Sequence, residues 1–411
     1  MRSTARADAG PSMPSLSWIS YAPERYEFEL CEKKKRMHVL FASYLRQDIQ
    51  FDVFASSPKH FRQRARFAVA RFGEELSLAL FDRGTPSVAV NNFPIASLAI
   101  NELMVPLMAA INASAVLSEG LAAVHFLSTQ SSDMLVSLIY ASPLHDEWRQ
   151  AAEQLRHELG IPAVLGRAKG VCTAVDRDWV SERLRLADGR ELNYRQIEGS
   201  FSNPSAAMCE HTLNFLCNCA GHISKACALA NGALPSLLEL YCGNGNHTLA
   251  LAPYFGRILA VEIDPRLCAA AEFNLSNHGV TQCTVLCAAS AKACRRLLRG
   301  VVRADHEESG ASECGASASE LPEDAWLRFG RWRTDAVLVD PPRCGLDELT
   351  LRLVSRFAHI LYISCNPKAL LANMDSMLGR SHEIEHFAIF DHFPYTPHLE
   401  CGVYLRRKTA L

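Results

Sequence analysis

Two short runs carry the residues best suited to covalent chemistry. The first, Ile360-Leu361-Tyr362-Ile363-Ser364-Cys365-Asn366-Pro367, is an apolar strand that stops at a cysteine and a proline turn. The second, His398-Leu399-Glu400-Cys401-Gly402-Val403-Tyr404-Leu405, opens on a carboxylate 35 residues after that cysteine. A thiol at the end of one strand and a carboxylate at the mouth of a neighbour can act as nucleophile and general base on one substrate. A lone cysteine is more often an inert buried hydrophobe, so the residues around Cys365 decide its reading.

Upstream lies an acidic strand feeding a glycine turn and a helix, Leu238-Glu239-Leu240-Tyr241-Cys242-Gly243-Asn244-Gly245-Asn246. Gly243 and Gly245 let backbone approach a bulky ligand, and the helix start offers unpaired N–H donors. Glu262 follows at the end of Ile258-Leu259-Ala260-Val261-Glu262-Ile263, where an acid suits a pair of ribose hydroxyls. Thr248 stands where a dinucleotide fingerprint has its third glycine, so S-adenosylmethionine, which has no pyrophosphate, fits better than NAD. A third strand ends in Asp340-Pro341-Pro342-Arg343. Arg343 takes the place of the aromatic residue that follows such a turn in amino-methyltransferases, which disfavours exocyclic amines as acceptors. A thiolate adding to carbon 6 of a pyrimidine makes carbon 5 nucleophilic toward a methylsulfonium, and a base must then remove the carbon 5 proton. Cys365 and Glu400 supply those two groups.

The elements that position these residues are those of an α/β fold. From about Ser236, apolar runs at Leu237–Leu240, Ile258–Ile263, Cys283–Cys287, Asp335–Val339, Ile360–Ser364, Phe387–Phe390 and Gly402–Leu405 alternate with helix-length stretches. This order predicts a doubly wound, mostly parallel, Rossmann-like sheet with functional residues at strand carboxyl ends. The earlier half reads as α+β. A basic helix contains Lys33, Lys34, Lys35 and Arg36, and short strands include Phe51–Phe54, Phe67–Ala70 and Leu76–Leu80. A long apolar helix follows Pro94, and another helix from Asp146 stops at Gly160. The expected division is a flexible tail over 1–22, an α+β RNA-binding domain over 23–185 and a methyltransferase domain over 186–411. A Ser/Ala/Gly/Glu-rich insertion is expected at about 303–323.

The 411 residues leave room for two cores, and 49% apolar with 21% charged residues is ordinary for a globular protein. The net charge of -2 requires any nucleic-acid binding to come from a local basic face. Fifteen scattered cysteines without a Cys-x-x-Cys pair argue against a disulfide scaffold or zinc ribbon and for a reducing compartment. No apolar run is long enough to span a membrane.

Together these motifs resemble the RNA uracil-5-methyltransferase family, in its bacterial-type tRNA (uracil-5-)-methyltransferase branch. The resemblance covers about residues 25–406. It includes Val339-Asp340-Pro341-Pro342-Arg343-Cys344-Gly345-Leu346-Asp347, Phe390-Asp391-His392-Phe393-Pro394-Tyr395-Thr396, Asn92-Phe93-Pro94, Asp146-Glu147-Trp148-Arg149-Gln150 and Tyr194-Arg195-Gln196. It implies methylation of uridine 54 in the tRNA T loop, with Cys365 as nucleophile and Glu400 as base. It also implies S-adenosylmethionine contacts at Tyr241, Gly243, Asn246, Glu262, Asp340 and Asn203. Related rRNA enzymes carry an N-terminal β-barrel and a four-cysteine iron–sulfur site. Here only Cys31 precedes Cys172, so no cluster and no metal is expected.

Two stretches depart from the family pattern. Asn203 and Ser205 stand where Gln and Asn are usual, which implies either weaker cofactor binding or a closer loop. Arg66 replaces a common Glu and makes Arg62, Arg64 and Arg66 a local basic patch suited to RNA phosphates. The target base is expected to flip out of the loop, with Phe93, Phe393 and Tyr395 as aromatic candidates to support it. Lys33–Arg36 either extend the phosphate track or form a solvated helix face. The expected partner is the tRNA T arm, bound by a monomer. The expected compartment is the cytoplasm, with an organelle as alternative through the N-terminal tail. Two other functions stay open, a non-catalytic tRNA-binding module and methylation of cytosine carbon 5 with Cys344 or Cys401 as a second thiol.

Overall fold

The computed structural model describes residues 21–82, 85–144, 146–307 and 335–408. The expected tail and insertion lie largely outside the described residues. In chain order the first strands are β1 (Gln50–Phe54), β2 (Arg64–Phe72), β3 (Glu75–Asp82), β4 (Thr85–Ala89), β5 (Leu121–Ser128), β6 (Met134–Tyr140), β7 (Ala163–Ala168) and β8 (Val171–Val175). Then come β9 (Trp179–Arg185), β10 (Glu191–Ile197), β11 (Ser236–Leu240), β12 (Arg257–Glu262), β13 (Cys283–Cys287) and β14 (Ala336–Val339). The last are β15 (His359–Ser364), β16 (His382–Phe390) and β17 (Glu400–Arg407).

The chain divides into two compact units. The first holds Pro58–Leu127 and Leu135–Arg177. Its seven-stranded sheet has the order β4-β3-β2-β5-β6-β7-β8. Along β2 the side chains alternate, so Ala65 and Phe67 are buried while Arg66 is exposed. That period of two also puts Arg62, Arg64 and Arg66 on one face. The helix Leu98–Ala113 starts where the Ser97 hydroxyl accepts a bond from the N–H of Ile100, and it buries Ile100, Met104, Leu107, Met108 and Ile111. The helix Trp148–Leu159 ends at Gly160 (φ 63°), as the sequence predicts.

The second unit holds Glu27–Ser57, Ser128–Met134 and the chain from Asp178 onward. Its eight-stranded sheet has the order β1-β16-β17-β15-β14-β11-β12-β13. β1 pairs parallel with β16, and β11, β12, β13, β14 and β15 pair parallel with their neighbours. β17 runs antiparallel between β15 and β16. The sheet is α/β, mixed and mostly parallel, as expected. Every residue of β14 is buried, and so are all but the first of β11, β12 and β15, because helices cover both faces of central strands. The domain boundary expected at 185 is not the one observed. The helix Tyr26–Leu40 packs Met37 into the core of the large sheet, Phe41 just beyond its end joins it there, and β1 completes that sheet's edge. β9 and β10, an antiparallel ribbon, also lie in the second unit.

From β11 the chain steps through β12 to β13 on one side, then returns to place β14 and β15 on the other. The switch point therefore lies between β11 and β14, and a ligand crevice is expected outside their carboxyl ends. Tyr241 and Asp340 are the first residues beyond those two ends.

Candidate active site

β15 and β17 pair with Ser364 opposite Cys401, and one further step of the same register sets Cys365 opposite Glu400. Both lie at the carboxyl end of the parallel strands. The Cys365 turn is braced by its neighbours. Asn366 donates through Nδ2 to the Arg343 carbonyl at 2.8 Å, and the Ser364 hydroxyl donates to the Asn366 carbonyl at 3.0 Å. The thiol turn and the Asp340-Pro341-Pro342-Arg343 turn are thereby tied together.

Cys365 is half-buried, and burial pushes its thiol pKa up, with Glu400 and Asp340 adding to the rise and Arg343 opposing it. Glu400 is buried and its pKa rises to about 8, chiefly by desolvation and then by the Asp340 carboxylate. Desolvation raises Asp340 as well. The site thus holds a thiol and carboxyls that resist ionisation, a base set poised near neutral pH.

The cofactor turn is shaped by backbone. Tyr241 adopts φ 66°, a left-handed conformation that costs a non-glycine residue about 1–2 kcal/mol. Gly245 has φ 77°, and a Cβ there would meet the Ala271 Cβ at 3.2 Å. Only glycine fits both demands. Glu262 is fixed by three backbone donors: Gly243 N–H at 3.0 Å on one oxygen, Ile263 and Asp264 N–H at 2.8 and 3.0 Å on the other. Ile263, beside it, is 66% exposed, an apolar platform at a strand end that the sequence reading passed over. Asn203 and Asn246, 43 residues apart in sequence, both donate through Nδ2 to the Cys209 sulfur at 3.1 Å. Ser205, one of the two departures from the family pattern, caps the helix Ala206–Asn231 by accepting from the Met208 N–H.

Three further groups have surroundings that the sequence did not indicate. Glu239, inside β11, accepts from the Thr248 hydroxyl at 2.6 Å, and burial raises its pKa to about 8. His392 is buried with Nε2 3.5 Å from a Glu400 oxygen, and desolvation lowers its pKa to about 3, so it is neutral. Lys33 forms a buried ion pair with Asp391 at 2.6 Å and also donates to the Phe393 carbonyl at 2.9 Å. That ion pair takes Lys33 out of the phosphate-track alternative. Lys33 is buried, Lys35 pairs with Glu32, and Arg36 donates to the Pro397 carbonyl. The first helix pins the loop that leads into Glu400.

The RNA candidates lie in the first unit. Arg62, Arg64, Arg66 and Phe93, with Ala65, Leu80 and Ile95, line one cavity of about 250 Å³. Burial lowers the pKa of Arg64 to about 10, and its arginine neighbours add to the fall. Arg62 is lowered for the same reasons. Phe93 is 5% exposed and packs edge-to-face on Phe67, so its ring is core. Tyr395 is buried too, while Phe393 is half-buried.

Several known proteins are similar to this chain. The family model described as tRNA (Uracil-5-)-methyltransferase matches residues 25–304 and 316–408. A tRNA/tmRNA (uracil-C(5))-methyltransferase of Neisseria meningitidis serogroup A is 38% identical over 389 residues, 93% of this chain and 99% of that one. The protein of the same name from Aeromonas salmonicida is 38% identical, covering 94% of this chain and 96% of its own. The crystal structure of Pyrococcus abyssi tRNA (uracil-54, C5)-methyltransferase in complex with S-adenosyl-L-homocysteine superposes with a TM-score of 0.65. It is 16% identical and covers 92% of this chain and 83% of that one, a likeness of fold.

Proposed function

The chain belongs to the tRNA (uracil-5-)-methyltransferase family and is an enzyme, and from that premise we propose that it methylates carbon 5 of a tRNA uridine, at position 54 of the T loop, with S-adenosylmethionine as donor. The observation that carries the reading is the register that sets Cys365 opposite Glu400 across adjacent strands. S-adenosylmethionine supplies an electrophilic methyl group on a sulfonium. The residues present fit it. Gly243 leaves backbone open, the fixed Glu262 carboxylate keeps lone pairs for ribose hydroxyls, and Ile263 offers an apolar face to adenine. Asp340 and Tyr241 flank the crevice at the switch point.

In the proposed reaction the Cys365 thiolate forms a bond to carbon 6 of a flipped-out uracil. The electron pair of the carbon 5–carbon 6 double bond moves into an enolate, and carbon 5 bonds the methyl group as the methyl–sulfonium bond breaks and its electron pair returns to sulfur, with S-adenosylhomocysteine as leaving group. Glu400 then accepts the carbon 5 proton, the double bond re-forms, and the carbon 6–sulfur bond breaks to return Cys365. A raised carboxylate pKa suits this step because the ionised form is the stronger base. The neutral His392 lies against Glu400 from the other side. Arg62, Arg64 and Arg66 are proposed to receive an RNA phosphate, since three cations on one cavity wall call for an anion. The described cysteines form no disulfide with one another, which supports a reducing compartment, the cytoplasm in this proposal.

The test is nucleoside mass spectrometry of unmodified tRNA incubated with enzyme and labelled donor. Labelled 5-methyluridine confined to the T loop is the expected result. Labelling of cytosine, or of uridines elsewhere only, overturns the proposal. T-loop-like RNA of the tmRNA kind tests how far the substrate class extends.

A further inference from the structure

Resting on that reading of the cofactor site, we infer that Cys209 is a positioning residue for S-adenosylmethionine. Its buried sulfur holds the Asn203 and Asn246 amides with their carbonyl oxygens turned to the cofactor's ammonium group. Both amides approach one sulfur at 3.1 Å. A thiol has a single proton, so at most one contact can be S–H donating to an amide oxygen, and at least one amide must donate to sulfur. Burial raises the Cys209 pKa to about 12, so the group stays a neutral thiol. Each amide that gives its Nδ2 to sulfur keeps Oδ1 as an acceptor. Among the described residues no donor reaches either Oδ1.

Two unpartnered acceptors flanking one thiol, both only half-buried, make a cradle for a cationic donor rather than for an anion. The Glu182 and Glu400 carboxyl groups lie near the same thiol and add to the rise in its pKa. The backbone secures the same cradle from below. Tyr194 donates from its hydroxyl to the Asn246 carbonyl at 2.9 Å, and Cys209 sits in the first turn of the helix Ala206–Asn231 behind its Ser205 cap. The arrangement also gives Asn203 a function despite its length. A shorter amide reaches the cofactor wall when sulfur, the larger acceptor, comes forward to meet it.

The experiment is titration calorimetry of the full chain with S-adenosylmethionine, beside steady-state kinetics on tRNA, for wild type, Cys209→Ala, Cys209→Ser, Asn203→Ala and the double variant Cys209→Ala/Asn203→Ala. Cys209→Ala is expected to raise the cofactor Kd and KM by roughly tenfold, with kcat at saturating cofactor within about twofold of wild type. Cys209→Ser keeps an acceptor and is expected to stay within about threefold of wild type. The double variant is expected to lose less than the product of the single losses, because both act through one contact. An unchanged Kd in Cys209→Ala, while Asn203→Ala weakens binding, overturns the role of Cys209 alone. Equal loss of kcat and melting temperature in the Ala and Ser variants, without a change in Kd, assigns Cys209 to packing and also overturns it. Absence of cofactor binding by wild type overturns the cofactor assignment itself, and the role of Cys209 with it.

Discussion

The two units show the same physical device with opposite sign. At the carboxyl end of the eight-stranded sheet, burial raises Asp340 and Glu400 above the ordinary carboxylate range. On the seven-stranded sheet, burial and crowding lower Arg62 and Arg64 below the ordinary guanidinium range. In each place like charges are brought together at some cost to folding. The acidic site gains from a cationic ligand and the basic cavity gains from an anionic one. The difference lies in what the charge does next. A carboxylate near neutrality can exchange a proton, whereas an arginine near pH 10 stays charged and can only bind.

That contrast breaks most sharply at Cys365. Cys365→Ala is expected to reduce methylation by ~10^4-fold or more while cofactor binding by calorimetry is kept. Substantial residual turnover would remove the acidic site from the chemistry. Glu400→Gln is expected to lose roughly 10^2–10^4-fold and to accumulate a Cys365–RNA adduct on denaturing gels, because proton removal follows adduct formation.

The pH dependence tests the same carboxyl group twice. Activity is expected to climb with pH through the raised Glu400 pKa of about 8, and still further as the Cys365 thiol ionises. Stability moves the other way. Between the unfolded value of 4.5 and about 8 the folded state binds more protons at Glu400 than the unfolded state does, so stability falls as pH rises across that window. The melting temperature of Glu400→Gln relative to wild type should therefore rise across this window and level off above it. A difference that is flat with pH would show that Glu400 ionises as freely as a surface acid.

Lys33→Met leaves Asp391 buried without its cation and is expected to cost about 3 kcal/mol in chemical denaturation, with partial recovery in Lys33→Met/Asp391→Leu. The smallest expected effect belongs to the basic cavity. Arg64→Ala should weaken tRNA binding by roughly tenfold and reduce the salt slope by about one, with cofactor affinity untouched. Loss of cofactor affinity in that variant would end the contrast between the two regions.

Most of the catalytic sheet was legible in the sequence because buried parallel strands read as apolar runs and their chemical residues sit at the ends. Cys365, Glu400, Glu262 and Asp340 all follow that rule. The Arg62, Arg64 and Arg66 cavity was legible through its period of two. What escaped depends on pairings distant in sequence. β1 joins β16, whose partner residues lie 336 positions further along the chain, and nothing in Gln50–Phe54 says which sheet it will edge. Lys33 looks like one cation of a solvated run until Asp391 arrives beside it. Cys209 had no spacing to mark it, because its two partners are brought to it by different elements.

The antiparallel strand between β15 and β16 also sets an order of events during synthesis. Ribosomes deliver residue 365 before residue 400, so a nascent chain displays the thiol while its base is still inside the exit tunnel. Until β17 emerges, β16 and the β1 edge have no bridge to the rest of the sheet. Until the final strand is in place the proposed site lacks Glu400, and an RNA met earlier finds a cysteine with no base beside it to take the carbon 5 proton.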